Sequence, residues 1–333
     1  MYEIVDQNSM AFRHFSVPIG GGPIVTLNPP PPTGGAWREG HEISPDGNWV
    51  LFRLERSADE FDLYSVPIGG GDTILLNNAA DTVFESRIAG DSTRVVYQGR
   101  RGLSSVIMEI FSVPIDGGFA VKLTPSIADG GNTRDFIVTP DSSRVVYSAN
   151  QDSVEKIELY SVPIAGGSPN KLNHTLLTDD DDVNGPLLVS NDSQWVVYRG
   201  FISSFGINQY YGYRAQIAGP AGNGEIIWSN VVNRQYEISP DQQSVVLIGE
   251  GRSGIGPPDG VNRLWMTKLT GTPTSTAQEL VPINFLVPGG QVSRFIASAR
   301  GDIVYTADQD VNNRIELYSL GPGIFRDGFE TSN

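Results

Sequence analysis

The chain has no cysteine and only three histidines. The first absence excludes disulfides, thiolate nucleophiles and zinc-thiolate sites, and it fits either redox compartment. The second leaves His14, His41 and His174 as the only imidazoles for proton transfer. Basic residues are scarce: 23 Lys and Arg stand against 38 Asp and Glu, a formal net charge of −15. A phosphate backbone or an anionic lipid surface is repelled by such a chain, which argues against nucleic acid as a partner. No apolar run approaches the roughly 18 residues that span a bilayer. The opening "MYEIVDQNSM" has neither the basic nor the apolar segment of a secretion signal. Met1 nevertheless falls inside a strand-like pattern, which leaves room for a lost upstream segment carrying one. Helix-type composition is missing too, whereas 38 Gly and 22 Pro accompany many Val, Ile, Thr and Tyr. Short strands joined by tight turns need that mixture.

What the chain has instead is repetition. "FRHFSVPIGGG" from Phe12, "FDLYSVPIGGG" from Phe61, "EIFSVPIDGG" from Glu109 and "ELYSVPIAGG" from Glu158 are one phrase at intervals near 48 residues. A second phrase runs beside it: "ISPDGNWVLF", "IAGDSTRVVY", "VTPDSSRVVY", "VSNDSQWVVY" and "ISPDQQSVVL". It places Asp46, Asp91, Asp141, Asp192 and Asp241 in one slot, 45, 50, 51 and 49 residues apart, with Arg300 in a weaker sixth copy. Each unit reads as a strand, an Asp turn, a Val/Tyr-rich strand, a loop, the "LYSVPI" strand, a Gly turn and a last strand ending in "LN".

Four short antiparallel strands in about 50 residues, repeated head to tail, are the mark of a β-propeller blade. Such a sheet cannot bury both faces alone, so neighbours must cover them. In "LYSVPI" the alternation of Leu, Ser and Pro with Tyr, Val and Ile puts one set of side chains on each face. Pro67, Pro114 and Pro163 lack an amide donor and belong where strand pairing lapses. The fold class expected is therefore all-β, a single propeller of four-stranded antiparallel blades. An incomplete first blade occupies 1–28, full blades begin near 37–77, 83–124, 133–173, 184–229 and 233–282, and a last blade covers 292–323. Three strands, then twenty, then three make seven blades the leading count and six the alternative. The tail 324–333, within "GIFRDGFETSN", could add an outer strand.

The "ISPDG" turn before a "VVY" strand, followed by "ELYSVPIGGG" and "LN", resembles the TolB-like propeller repeat over nearly the whole chain. The resemblance implies a periplasmic or secreted binding platform, acting as a monomer on a protein, peptide or glycan. Similar blades also accompany hydrolase domains in prolyl-oligopeptidase-like enzymes, but the chain has no Gly-x-Ser-x-Gly elbow and no length outside the blades for such a domain.

The Asp and Gly turns are uniform, while the loops between second and third strands and between blades vary, so binding is expected on the face they share, around a channel mouth. First strands bring unusual charge there: Arg38, Glu39, Glu42, Glu85, Arg87, Arg134, Asp135, Arg234, Glu237 and Arg294. One reading is that Arg and Glu pair along a watery lining and no cofactor is held. The other is that Glu42, Glu85, Asp135, Asn184 and Glu237 hold a hard cation such as Ca²⁺, which takes six to eight oxygen ligands. A metal so placed would serve as Lewis acid in hydrolysis of esters, lactones or phosphotriesters. His41, beside Glu39 and Glu42, is the one imidazole placed to act as a base. His14 falls on a packed third strand, and His174 is expected at the surface. The five Asp of the repeated turn read as turn formers. "TDDDDVNG", from Thr178 to Gly185, reads as a solvated acidic loop, because it lacks the alternate spacing of an EF-hand.

Overall fold

The computed structural model describes residues 2–6, 11–31, 35–78, 81–102, 105–127, 130–175, 182–204, 207–229, 231–252, 258–271, 281–282, 291–298, 302–308 and 315–320. Among them are 26 strands in seven antiparallel sheets, and no helix. The chain divides into two compact units: Met1–Val154 with Glu158–Lys171, and Glu155–Ile157 with Leu172–Asn333.

In the first unit, the opening sheet has three strands, β1 (Tyr2–Asp6), β2 (Ala11–Ser16) and β3 (Val25–Thr26). Three four-stranded sheets follow, each ordered as in the sequence. They are β4 (Ala36–Ile43), β5 (Trp49–Ser57), β6 (Glu60–Pro67) and β7 (Ile74–Leu75); β8 (Thr82–Ile88), β9 (Arg94–Arg100), β10 (Glu109–Pro114) and β11 (Val121–Lys122); and β12 (Thr133–Val138), β13 (Arg144–Ala149), β14 (Glu158–Pro163) and β15 (Asn170–Lys171).

The repeated phrase works as joinery between these sheets. Leu63, on one face of β6, is buried with Val95, Tyr97, Phe111 and Ile115 of the next sheet. On the same face, Ser65 Oγ donates a hydrogen bond of 2.6 Å to the Ile115 carbonyl. On the other face, Val66 with partly buried Tyr64 and Ile68 packs against Leu27, Phe12 and Val25 of the opening sheet. Ser16 Oγ donates to the Ile68 carbonyl at 2.6 Å, the same tie one repeat earlier. Burying a leucine contributes about 2 kcal/mol and a neutral hydrogen bond about 1 kcal/mol. The apolar face thus supplies most of the adhesion, and the hydroxyl sets the register. Pro67, Pro114 and Pro163 each close their strand, as their missing amide requires. The Gly pair serves close approach as well as the turn: a Cβ on Gly117 (φ 100°) would stand 2.9 Å from Ile74 Cγ2, and one on Gly166 (φ 101°) 2.8 Å from Val121 Cγ1. Each fourth strand has only two residues, and the Asn after it prolongs the pairing: Asn77 Oδ1 accepts from Leu63 N at 2.7 Å and Asn28 Oδ1 from His14 N at 2.8 Å.

The Asp slot is a turn former. Asp46 Oδ1 accepts from Ser44 Oγ at 2.5 Å and from Asn48 N at 3.0 Å, and these bonds hold its carboxyl down at about 2. The residue after each Asp is left-handed: Gly47 at φ 74°, Ser92 at 62° and Ser142 at 60°. A side chain there is unfavourable by itself. It is retained where it joins sheets, since Ser92 Oγ accepts from Asp46 N at 3.0 Å and Ser142 Oγ from Asp91 N at 2.9 Å.

The second unit holds β16 (Asp182–Val189), β17 (Trp195–Ser204), β18 (Ile207–Gln216) and β19 (Glu225–Trp228); β20 (Val231–Ile238), β21 (Ser244–Arg252), β22 (Pro258–Lys268) and β23 (Val281–Pro282); and β24 (Val292–Ala297), β25 (Ile303–Ala307) and β26 (Glu316–Leu320). In its first sheet Arg214 occupies the slot of Ser65, since Trp195 opposes Gln216 as Trp49 opposes Pro67. The Arg214 guanidinium is buried, donates to the carbonyls of Leu269 and Gly271 in the next sheet, pairs with Glu225 at 3.0 Å and lies 4.6 Å above the Trp195 ring. In the turns, Gln242 Oε1 accepts from Asn191 N at 2.8 Å.

Candidate functional site

Strands β4, β5, β6 and β8 of the first unit enclose a cavity of about 220 Å³. Its floor is apolar, from Leu51, Phe52 and Leu63; its rim is polar, from His41, Glu42, Arg53, Glu85, Ser86 and Arg87, with Phe84 beside them. Every lining residue belongs to a strand, so the site rests on rigid backbone rather than on variable loops.

The rim owes its shape to bulges. In β4 the register slips between Trp37 and His41, and in β8 between Val83 and Glu85, where Phe84 has no partner of its own in β9. A bulge re-aims the side chains around it. The Phe84 carbonyl accepts from Arg53 Nη1 at 2.8 Å, and the Phe84 ring lies 5.6 Å beneath the Arg100 guanidinium. Arg53 in turn sits 5.4 Å over the Phe61 ring. Slips of the same kind occur in β12, β16, β20 and β24, so the first strand of every described sheet that has one is bulged.

Glu42 reaches across to the neighbouring sheet, where its Oε1 accepts from Ile88 N at 3.0 Å. Burial raises its pKa; the Ile88 amide and the Arg87 charge oppose that shift and do not overcome it. Glu85 is ion-paired with Arg87, whose other nitrogen donates to the Ser86 carbonyl at 2.7 Å. His41 is exposed, with its ring edge-on to buried His14 at 5.8 Å; His14 stacks on Phe52 at 5.2 Å.

Of the residues nominated from the sequence, the structure brings His41, Glu42, Glu85 and Arg87 to this one cavity. Arg134 and Asp135 are exposed in the bulge of β12, outside its lining. In the second unit, Asn184 Oδ1 accepts from Arg199 Nη2 at 3.0 Å, Glu237 Oε1 accepts from Gln235 Nε2 at 2.7 Å, and Arg294 is exposed on β24. The side chains of Arg38, Glu39 and Arg234 lie outside the described residues, as do Arg300, the first half of the acidic loop (178–181) and the tail. So do 32–34, 103–104, 128–129, 253–257, 283–290 and 309–314, segments of or beside the variable loops. His174, expected at the surface, is half-buried, with its ring stacked 4.8 Å from Tyr213. The aromatic slot of the "LYS" phrase supplies that face, and the stacked histidine covers it. Sequence reasoning passed over Arg53, Phe84 and Arg100. Arg53 is nonetheless a lone cation inside the apolar run "WVLFRL".

A divalent cation does not fit this rim. The Arg87 guanidinium stands by both carboxylates, and Glu42 and Glu85 already have partners. Among the described residues, no three His, Asp or Glu side chains gather in a group able to hold a metal ion. Nor, among them, is any helix long and apolar enough to cross a membrane.

No protein-family model matches the chain, and no curated protein matches it. Solved structures do. Oligogalacturonate lyase in complex with manganese aligns at 14% identity and a TM-score of 0.50, over 86% of this chain and 70% of that one. The β-propeller domain of the trilobed protease from Pyrococcus furiosus aligns at 13% identity and a TM-score of 0.49, over 89% of this chain and 83% of that one. A TolB candidate from Agrobacterium tumefaciens aligns at 19% identity and a TM-score of 0.40, over 69% and 76%. The chain has an all-β fold of the β-propeller class, a conclusion carried by its successive antiparallel sheets of three or four sequential strands. Identities this low speak to fold, and fold leaves activity open.

Proposed function

We propose that the protein is a non-catalytic binding platform of the periplasm or cell exterior, which recognises a protein, peptide or glycan. The supporting observation is the strand-built cavity, where an apolar floor meets donors and acceptors already fixed by the scaffold. Glu42 is held by Ile88, Glu85 by Arg87 and Arg53 by Phe84. Such preset groups orient a ligand without rearrangement.

The direct test is a binding screen of peptide and glycan panels by chemical-shift mapping, with aryl-ester and phosphotriester assays on the same protein. Perturbation at the cavity without turnover supports the reading. The rival is the metal-dependent hydrolase: stoichiometric calcium or manganese by elemental analysis, with turnover abolished by chelator, would replace it.

A further inference from the structure

In a chain of net charge −15, two arginines held by Phe84 are not bridged to any carboxylate among the described residues: Arg53, which lines the cavity, and Arg100, which lies outside its lining. Arg53 donates one hydrogen bond, to the Phe84 carbonyl, and lies over Phe61. Arg100 lies over the Phe84 ring and feels Glu60 only at a distance, because Glu60 is engaged by Arg56 and Ser57. The other cations nearby are spent: Arg87 on Glu85, and Arg56 on Glu60 and Asp62. A guanidinium carries five donors, and stacking on an aromatic ring leaves its edge free to bond. The bulged Phe84 thus holds one guanidinium by its carbonyl and a second by its ring, beside an open polar cavity.

We propose that Arg53 and Arg100, both held by Phe84, form a carboxylate-binding site beside this cavity. This deepens the recognition reading above and rests on it. The ligand group is a carboxylate, of an acidic peptide side chain or of an acidic sugar. Arginine forks match that group in two parallel bonds, which a neutral or cationic ligand cannot make. Glu42 is already engaged across the sheets, where its Oε1 accepts from Ile88 N at 3.0 Å, and Glu85 is paired with Arg87.

The experiment is calorimetric titration of the full chain with tetraglutamate, a uronic-acid tetramer, a neutral hexose tetramer and tetralysine, at low salt and again at high salt. The proposal expects one or both carboxylate probes to bind, to weaken as salt rises, and to lose about tenfold or more in affinity with Arg53→Gln and with Arg100→Gln. Arg101→Gln, which removes a guanidinium lying over Phe111 instead, should leave affinity unchanged. Whichever of the two carboxylate probes binds names the source. If Arg53→Gln fails to fold, Arg100→Gln alone decides. Binding of the neutral probe or tetralysine but of neither carboxylate overturns this proposal and leaves the recognition reading standing. Binding of none of the four overturns both. Carboxylate binding that neither substitution weakens also overturns it.

Discussion

Position 65 in the first unit and position 214 in the second are the same place in the repeat, filled once by serine and once by arginine. Both donate to a main-chain carbonyl of the next sheet, Ser65 to Ile115 and Arg214 to Leu269. Serine does this with one short bond. Arginine needs Glu225 and the Trp195 ring to settle a buried charge, and it adds a second carbonyl, that of Gly271. Two different residue types thus supply a donor across that gap, whereas in β22 the same slot is filled by the apolar Met266. The difference separates what is conserved as geometry from what varies as sequence within one chain.

Substitutions can break that comparison in graded steps. Arg214→Met should cost most, about 3 kcal/mol by denaturant unfolding, because Glu225, the buried Leu269 carbonyl and the Gly271 carbonyl lose their partner. A loss near that of the serine tie would show the arginine to be an idle replacement. Gly117→Ala should cost about 2 kcal/mol, since its Cβ meets Ile74 at 2.9 Å in a left-handed backbone. Ser65→Ala should cost about 1 kcal/mol, for one hydrogen bond. Ser92→Ala should fall below Ser92→Gly by about 1 kcal/mol, because both lose the bond from Asp46 but only glycine relieves the positive φ. Equal effects would mean that the left-handed turn stores no strain.

The smallest effect is one of pH. The Asp46 carboxyl lies at about 2 against an ordinary 3.8, so the folded state binds its proton less readily than the unfolded chain. Its contribution is present above the unfolded value and is lost as pH falls from about 4 towards 2. Asp46→Ala should flatten the acid limb of the stability profile over that window, which a series of melts would reveal.

Most of the architecture was legible because its signals are local. Alternation in "LYSVPI" predicts two buried faces, and Leu63 and Val66 lie on them; Pro67 ends its strand for want of an amide; Asp46 closes a turn within three residues. The candidate site was half legible. Charge on the first strands pointed to Glu42, Glu85 and Arg87, yet nothing in the sequence marks Phe84 as a bulge. Arg53 gains meaning only when two sheets face each other, and Arg100 only when the bulge sets the Phe84 ring beneath it. Arg214 was hidden for the same reason. "YGYRAQIAG" reads as a departure from the phrase until the register shows the arginine performing the serine's task.

The central claim is a division of labour: the repeated phrase joins sheets, and the bulged first strands, with Arg53 and Arg100 of the strands beside them, bind. The shift in melting temperature caused by the carboxylate probe that binds tests it most directly, compared among the parent protein, Ser65→Ala and Arg53→Gln. The account predicts that Ser65→Ala melts lower and keeps the full ligand shift, while Arg53→Gln, wherever its own melting point lies, loses the shift. The opposite pattern, a ligand shift lost with Ser65→Ala and kept with Arg53→Gln, would contradict it.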